Sequence, residues 1–172
     1  MIQVFTTGGT IDKDYFDAKS DYEVGDAQVD DILRAAGVEV PWRLETLMRK
    51  DSLDIDDADR AEIAERVAAS EARRVLVSHG TDTMAQTARA IADRLGRAPG
   101  KTVVLVGSLT PARFRVTDAP FNVGFALAAV QTLPAGVYVA MNGRAFPAHS
   151  VRKNRERNRF ERIDVPEADP LS

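Results

Sequence analysis

Apolar residues fall in short runs along the chain, at Ile2–Phe5, Val38–Leu47, Val75–Val77, Thr102–Val106 and Val137–Met141, each rich in β-branched side chains. Such runs predict strands, because branched side chains pack well on a pleated surface. Between them apolar positions recur with helical spacing over Ala27–Ala36, Asp57–Ser70, Thr83–Leu95 and Ala119–Leu133. Gly37 and Gly96 follow two of these segments, where a helix often ends in a conformation that suits glycine, and Pro134 stops a third. Strand and helix alternate with short connections. This predicts a doubly wound α/β fold: a mainly parallel sheet with helices on both faces, where right-handed crossovers put them.

Two stretches break the rhythm. Asp12–Gly25 is polar, carries Tyr15, Phe16 and Tyr22, and has no clear period, so it reads as a long loop and a candidate lid. From Ala145 onward the chain turns basic and then acidic, and residues 165–172, with two prolines, read as a loosely held tail. No internal repeat or low-complexity tract interrupts the rest, and residues 1–172 are expected to form one domain.

Composition narrows the function classes. The 172 residues, 44% of them hydrophobic, suit one domain with a real core. A formal net charge of −3 provides no overall field for nucleic acid or an anionic membrane, so partners must be argued from sites. Cysteine is absent, which removes disulfides, thiolate metal sites and a cysteine nucleophile together, and gives no sign of an oxidising compartment. The start has no basic region followed by an apolar export segment, and no later stretch reaches membrane-spanning length. The expectation is a mature cytoplasmic protein from Met1 that meets a small molecule.

In open parallel sheets, ligands gather beyond the carboxyl ends of the strands. There the chain places Thr6-Thr7-Gly8-Gly9-Thr10, Ser78-His79-Gly80-Thr81-Asp82-Thr83, Gly107-Ser108 and Asn142-Gly143. Glycine lets backbone approach a ligand closely and the hydroxyls supply nucleophiles or hydrogen bonds, although the same residues also build ordinary turns. Thr83 and Gln86 have capping-box spacing, which leaves Thr81 and Asp82 just outside a helix N-terminus. The positive end of the dipole there favours a carboxylate, and free N–H groups can stabilise an oxyanion. A threonine nucleophile needs a base. His79 closes a strand and reads as a satisfied structural residue, His149 lies in a loop, and Lys153 follows the last strand within a basic run, Arg152 to Arg162, of the kind that usually forms a solvated face.

At this point the chain resembles the bacterial-type asparaginase/glutaminase family, in a short-chain form. Thr7-Gly8-Gly9-Thr10-Ile11 and His79-Gly80-Thr81-Asp82-Thr83-Met84 carry most of the resemblance. It continues through Tyr22-Glu23-Val24-Gly25, Asp51-Ser52, Thr117-Asp118-Ala119-Pro120-Phe121-Asn122, Met141-Asn142 and Val151-Arg152-Lys153. The resemblance implies that Thr10 is the nucleophile and that Tyr22, on a lid, helps it shed its proton. It implies a second cluster in which neutral Lys153 takes a proton from Thr81, beside Asp82. Asp82 would meet the substrate α-amino group, and Ser52 with the Asp51–Leu53 backbone would hold the α-carboxylate. L-Asparagine would yield ammonia and, through an acyl-enzyme, L-aspartate, with weak action on glutamine and no metal or organic cofactor.

Typical members of that family carry a second, smaller C-terminal domain that contributes an acidic side chain across a subunit interface. With that domain not represented here, the amino group is expected to fall to Asp51 or Asp82 alone, or to a partner subunit, and a homodimer or higher homo-oligomer is expected to cover the exposed surface. Rival readings are a non-catalytic ligand-binding module, an RNA-binding surface on the Arg152–Arg162 run, and an amidotransferase-type subunit. The first lacks a P-loop or dinucleotide fingerprint. Glu156 and Glu161 interrupt the basic run, in which Phe160 is the lone aromatic.

Overall fold

In the computed structural model the described residues are 1–16, 21–96 and 100–163, with the side chains of residues 15, 16, 21 and 22 outside the description. The five expected strands form as β1 (Ile2–Gly8), β4 (Trp42–Lys50), β5 (Arg74–Ser78), β6 (Thr102–Val106) and β7 (Gly136–Met141), and β8 (Arg144–Pro147) joins them. They make one six-stranded sheet of order β4-β1-β5-β6-β7-β8, parallel except for the antiparallel β7–β8 pair. The four expected helices are α1 (Gln28–Ala35), α2 (Asp57–Ala69), α3 (Met84–Leu95) and α4 (Ala119–Thr132).

Successive strand residues face opposite sides of a sheet, and here both sides are covered. Val75 and Val77 of β5 join Val103 and Leu105 of β6 in a core closed by Ile63 and Val67 of α2 and Ala88 and Ile91 of α3. Leu76, Val104 and Val106 point the other way, into a core closed by Val29 and Leu33 of α1 and Val123 and Ala126 of α4. Each fully buried aliphatic side chain of this kind stabilises by about 1.5–3 kcal/mol relative to exposure. The central strands thus read as continuous apolar runs because neither face meets water.

Three expectations change. Asp12–Gly25 is not an unstructured loop: β2 (Lys13–Phe16) pairs antiparallel with β3 (Asp21–Val24), Lys13 opposite Val24 and Tyr15 opposite Tyr22. Its polar composition hides the pairing, because a short two-stranded ribbon needs no apolar period. The second strand run begins at Trp42, four residues later than its first valine, because Pro41 ends the turn and its carbonyl receives the Ile2 N–H at 2.9 Å. The basic run is a third case: β9 (Val151–Asn154) and β10 (Arg159–Arg162) form a hairpin with Lys153 opposite Phe160. Phe160 is buried and anchors it. The tail expected over 165–172 lies outside the described residues. Among those described, no helix is long and apolar enough to cross a membrane.

Candidate functional site

The parallel strands β1, β5, β6 and β7 end on one edge of the sheet, and the segments that leave them are packed too tightly for side chains. A Cβ on Gly9 would stand 2.4 Å from both N and Cα of Gly80, and one on Gly80 would stand 2.6 Å from the Ser52 side chain. Gly9 also has φ +91°, which L side chains rarely adopt. These contacts press the backbone before Thr10 against the backbone before Thr81, with Ser52 alongside. Thr10 opens a short 3-10 turn, Thr10–Asp12, and is half-buried.

Lys153 reaches the same place from β9. Its Nζ donates to Thr81 Oγ1 at 2.7 Å and to Asp82 Oδ1 at 2.8 Å, with only 10% of its side chain exposed. The Asp82 amide donates to Ser52 Oγ at 3.3 Å. Thr83 stands at the N-cap position of α3, yet its hydroxyl donates to the Ser52 carbonyl at 2.6 Å. The expected capping box therefore does not form: the Thr83 hydroxyl is used to hold the Ser52 turn. A capping box occurs instead at α2, between Asp56 and Asp59.

Thr10, Ser52, Thr81, Asp82 and Lys153 are thus gathered at one sheet edge. Asp51 is close by but engaged: it accepts from Leu53 N at 3.1 Å and pairs with Lys13 Nζ at 2.5 Å. Burial pushes its carboxyl up, while the Lys13 ammonium and the Leu53 amide outweigh burial and hold it below the ordinary carboxylate range. The side chain of Tyr22 lies outside the described residues. Clefts of about 640, 500 and 470 Å³ lie elsewhere, and none of the five gathered residues lines them. Among the described residues no group of three or more His, Cys, Asp or Glu is placed to hold a metal ion.

His79 is structural, as expected. It is fully buried, with Nδ1 2.7 Å from the Gly80 carbonyl and Nε2 2.8 Å from Thr87 Oγ1. Burial drives its pKa from 6.5 down to about 4, so the ring is neutral near neutral pH, and it braces the peptide that precedes Thr81. His149 is exposed, near Asp93.

Sequence reasoning missed two supports. Asn122 donates to the Gly107 carbonyl and to Asp118, and accepts from the Asn142 amide at 3.0 Å, tying the ends of β6 and β7 to α4. Its place in the Thr117–Asn122 segment was the available signal, although a role could not be read from it. The other is Asp12, 2% exposed, whose Oδ1 accepts from Gln28 N at 2.8 Å and whose carbonyl accepts from Gly25 N at 2.8 Å. It joins the Thr10 turn to the base of the β2–β3 hairpin and to the start of α1.

Burial raises the Asp12 pKa from 3.8 to about 7, against the lowering pulls of the Gln28 amide and Arg49, with Asp26 adding to the rise. Between these two values the folded chain holds a proton that the unfolded chain releases. This stabilising contribution is full below 3.8 and is lost as pH rises to about 7. Urea unfolding of Asp12→Asn, which keeps an acceptor for Gln28, should show less loss of stability from pH 4 to pH 8 than the parent. The difference should approach about 4 kcal/mol at most. Identical pH dependence in both proteins would remove Asp12 as its source.

The family model described as the asparaginase N-terminal domain matches residues 1–172. An L-asparaginase of Thermococcus kodakarensis is 33% identical over 175 residues, covering 95% of this chain and 51% of that protein. The solved structure of the thermostable L-asparaginase from Thermococcus kodakarensis superposes with a TM-score of 0.80 at 32% identity over 96% of this chain and 52% of that one. L-asparaginase I of Vibrio cholerae gives a TM-score of 0.82 at 27% identity, with the same coverage. A subunit of the glutamyl-tRNA(Gln) amidotransferase from Pyrobaculum aerophilum is 36% identical over 141 residues, 77% of this chain and 32% of that protein. The chain spans about half the length of the asparaginases it matches. With a sheet and a family match over residues 1–172 that agree, the chain belongs to the asparaginase family, and the part of that family it matches is the N-terminal domain.

Proposed function

We propose that this chain hydrolyses L-asparagine to L-aspartate and ammonia through a threonine-bound acyl-enzyme, with weaker action on glutamine. The observation that carries the reading is Lys153 Nζ, 2.7 Å from Thr81 Oγ1 and 2.8 Å from Asp82 Oδ1, beside the abutting Gly9 and Gly80 backbones. Thr10 Oγ1 attacks the side-chain amide carbon, its proton passes with the help of Tyr22 to the departing nitrogen, and the C–N bond breaks as ammonia leaves. Water then cleaves the ester and restores the threonine. Lys153, as the neutral amine, takes the Thr81 hydroxyl proton, and the backbone N–H groups beside Thr81 stabilise the developing oxyanion. Asp82 receives the substrate ammonium, and Ser52 with the Asp51–Leu53 backbone receives the α-carboxylate. Asp51 is the weaker candidate for the ammonium, since Lys13 already occupies its carboxylate.

A homodimer or larger assembly is part of the reading. Support comes from exposed apolar side chains: Phe114 at 41%, Val116 at 84% and Phe121 at 61% exposure. A cytoplasmic setting suits a chain without cysteine. The second reading is amide opening on a larger carrier, which the amidotransferase relative favours. Ammonia release should be measured on asparagine and glutamine side by side, with light scattering on the same sample. The expected result is release from asparagine exceeding that from glutamine, by an assembly of more than one chain. Release from neither amino acid would defeat the hydrolase reading, and a strict monomer would defeat the oligomer.

A further inference from the structure

The β9–β10 hairpin brings a second basic side chain to Asp82. Strand alternation sets Val151 and Lys153 on the inward face and Arg152 outward, and Arg155, one step into the turn, returns to the side of Lys153. Its Nε lies 4.0 Å from Asp82 Oδ1, the same oxygen that accepts from Lys153 at 2.8 Å. The turn is held in shape: Asn154 Oδ1 accepts from Arg157 N at 3.1 Å, and the Arg155 carbonyl accepts from Asn158 N at 3.3 Å. Across the hairpin Glu161 gathers Arg152 and Arg159, so the basic run is divided between two faces. Lys153 and Arg155 thus both approach the same carboxylate oxygen of Asp82.

Resting on the reading of Asp82 as the ammonium acceptor, we propose that Arg155 is a specificity-determining residue that competes with the substrate's ammonium group for Asp82. It shifts the site toward four-carbon amides whose α position carries no positive charge. The Arg155 side chain is 65% exposed, so its repulsion of an incoming ammonium is felt through solvent and is screened by salt. A residue that only shaped the turn would act on all ligands alike.

The test compares the parent with Arg155→Gln by calorimetric titration with L-aspartate and with succinate, which lacks only the amino group, at low salt and at roughly 0.5 M salt. The substitution should tighten aspartate about two- to fivefold at low salt, leave succinate unchanged or weaker, and lose its effect at high salt. In parallel, kcat/KM for asparagine should rise relative to that for succinamate. An equal shift for both ligands, no shift, or no binding of either ligand to either protein overturns the proposal. Ammonia release from asparagine with no such discrimination defeats Arg155 and spares the hydrolase reading. Discrimination in binding without ammonia release does the reverse.

Discussion

Thr10→Ala is expected to lower ammonia release from asparagine by roughly 10³–10⁶-fold, the scale on which enzymes lose a covalent nucleophile. Thr10 is half-buried and opens a three-residue 3-10 turn at the end of β1, so removing its hydroxyl and methyl leaves the sheet core untouched. Stability should fall by about 1 kcal/mol or less. The fold can therefore be checked in the same sample by urea unfolding. Mass spectrometry of the quenched parent reaction should show an aspartyl ester on the peptide that contains Thr10, and none in the variant. Full turnover by Thr10→Ala would refute the assignment. An adduct found on the Thr81 peptide instead would reverse the order of the two threonines.

Lys153→Met is the second large effect. Methionine keeps an unbranched side chain in a site where only 10% of the lysine side chain is exposed, but it removes an amine that touches both Thr81 Oγ1 and Asp82 Oδ1. Loss of a general base lowers kcat by about 10²–10⁴-fold, or ~3–5.5 kcal/mol of activation free energy. Asp82 is 33% exposed and has Arg155 nearby, so losing its lysine partner should cost the fold little. Lys153→Arg separates two roles, because a guanidinium keeps the charge but cannot give up its proton. If arginine restores kcat, Lys153 is an electrostatic anchor and the base must be sought elsewhere. A variant altered only in solubility would return the lysine to a solvated surface role.

Several elements are legible in the residues alone. The strand at Thr102–Val106 reads with the boundaries it has, and the four helices read within one residue at each end, because a two-sided core stamps its periodicity on each segment. The β2–β3 ribbon and the β9–β10 hairpin are not legible in this way, since polar side chains on small antiparallel pairs leave no apolar period. The Thr83–Gln86 pattern misleads for a related reason: cap spacing is local, and the Ser52 carbonyl, 31 residues away, takes the hydroxyl.

Local residue chemistry was enough to determine the fold class, the strand-end turns and the candidate threonines. Periodicity and turn-forming residues act over a few positions, and one strand with its neighbours suffices to reveal them. The pairing of Lys153 with Thr81 came from the family resemblance and not from composition, periodicity or spacing, and tertiary structure is what makes the contact. Lys153 and Thr81 stand 72 residues apart, and nothing near either names the other. The order of strands in the sheet, the contact of Gly9 with Gly80, and the inward turn of the β9–β10 hairpin make that meeting, and a basic run of the kind that usually stays solvated becomes one wall of the site.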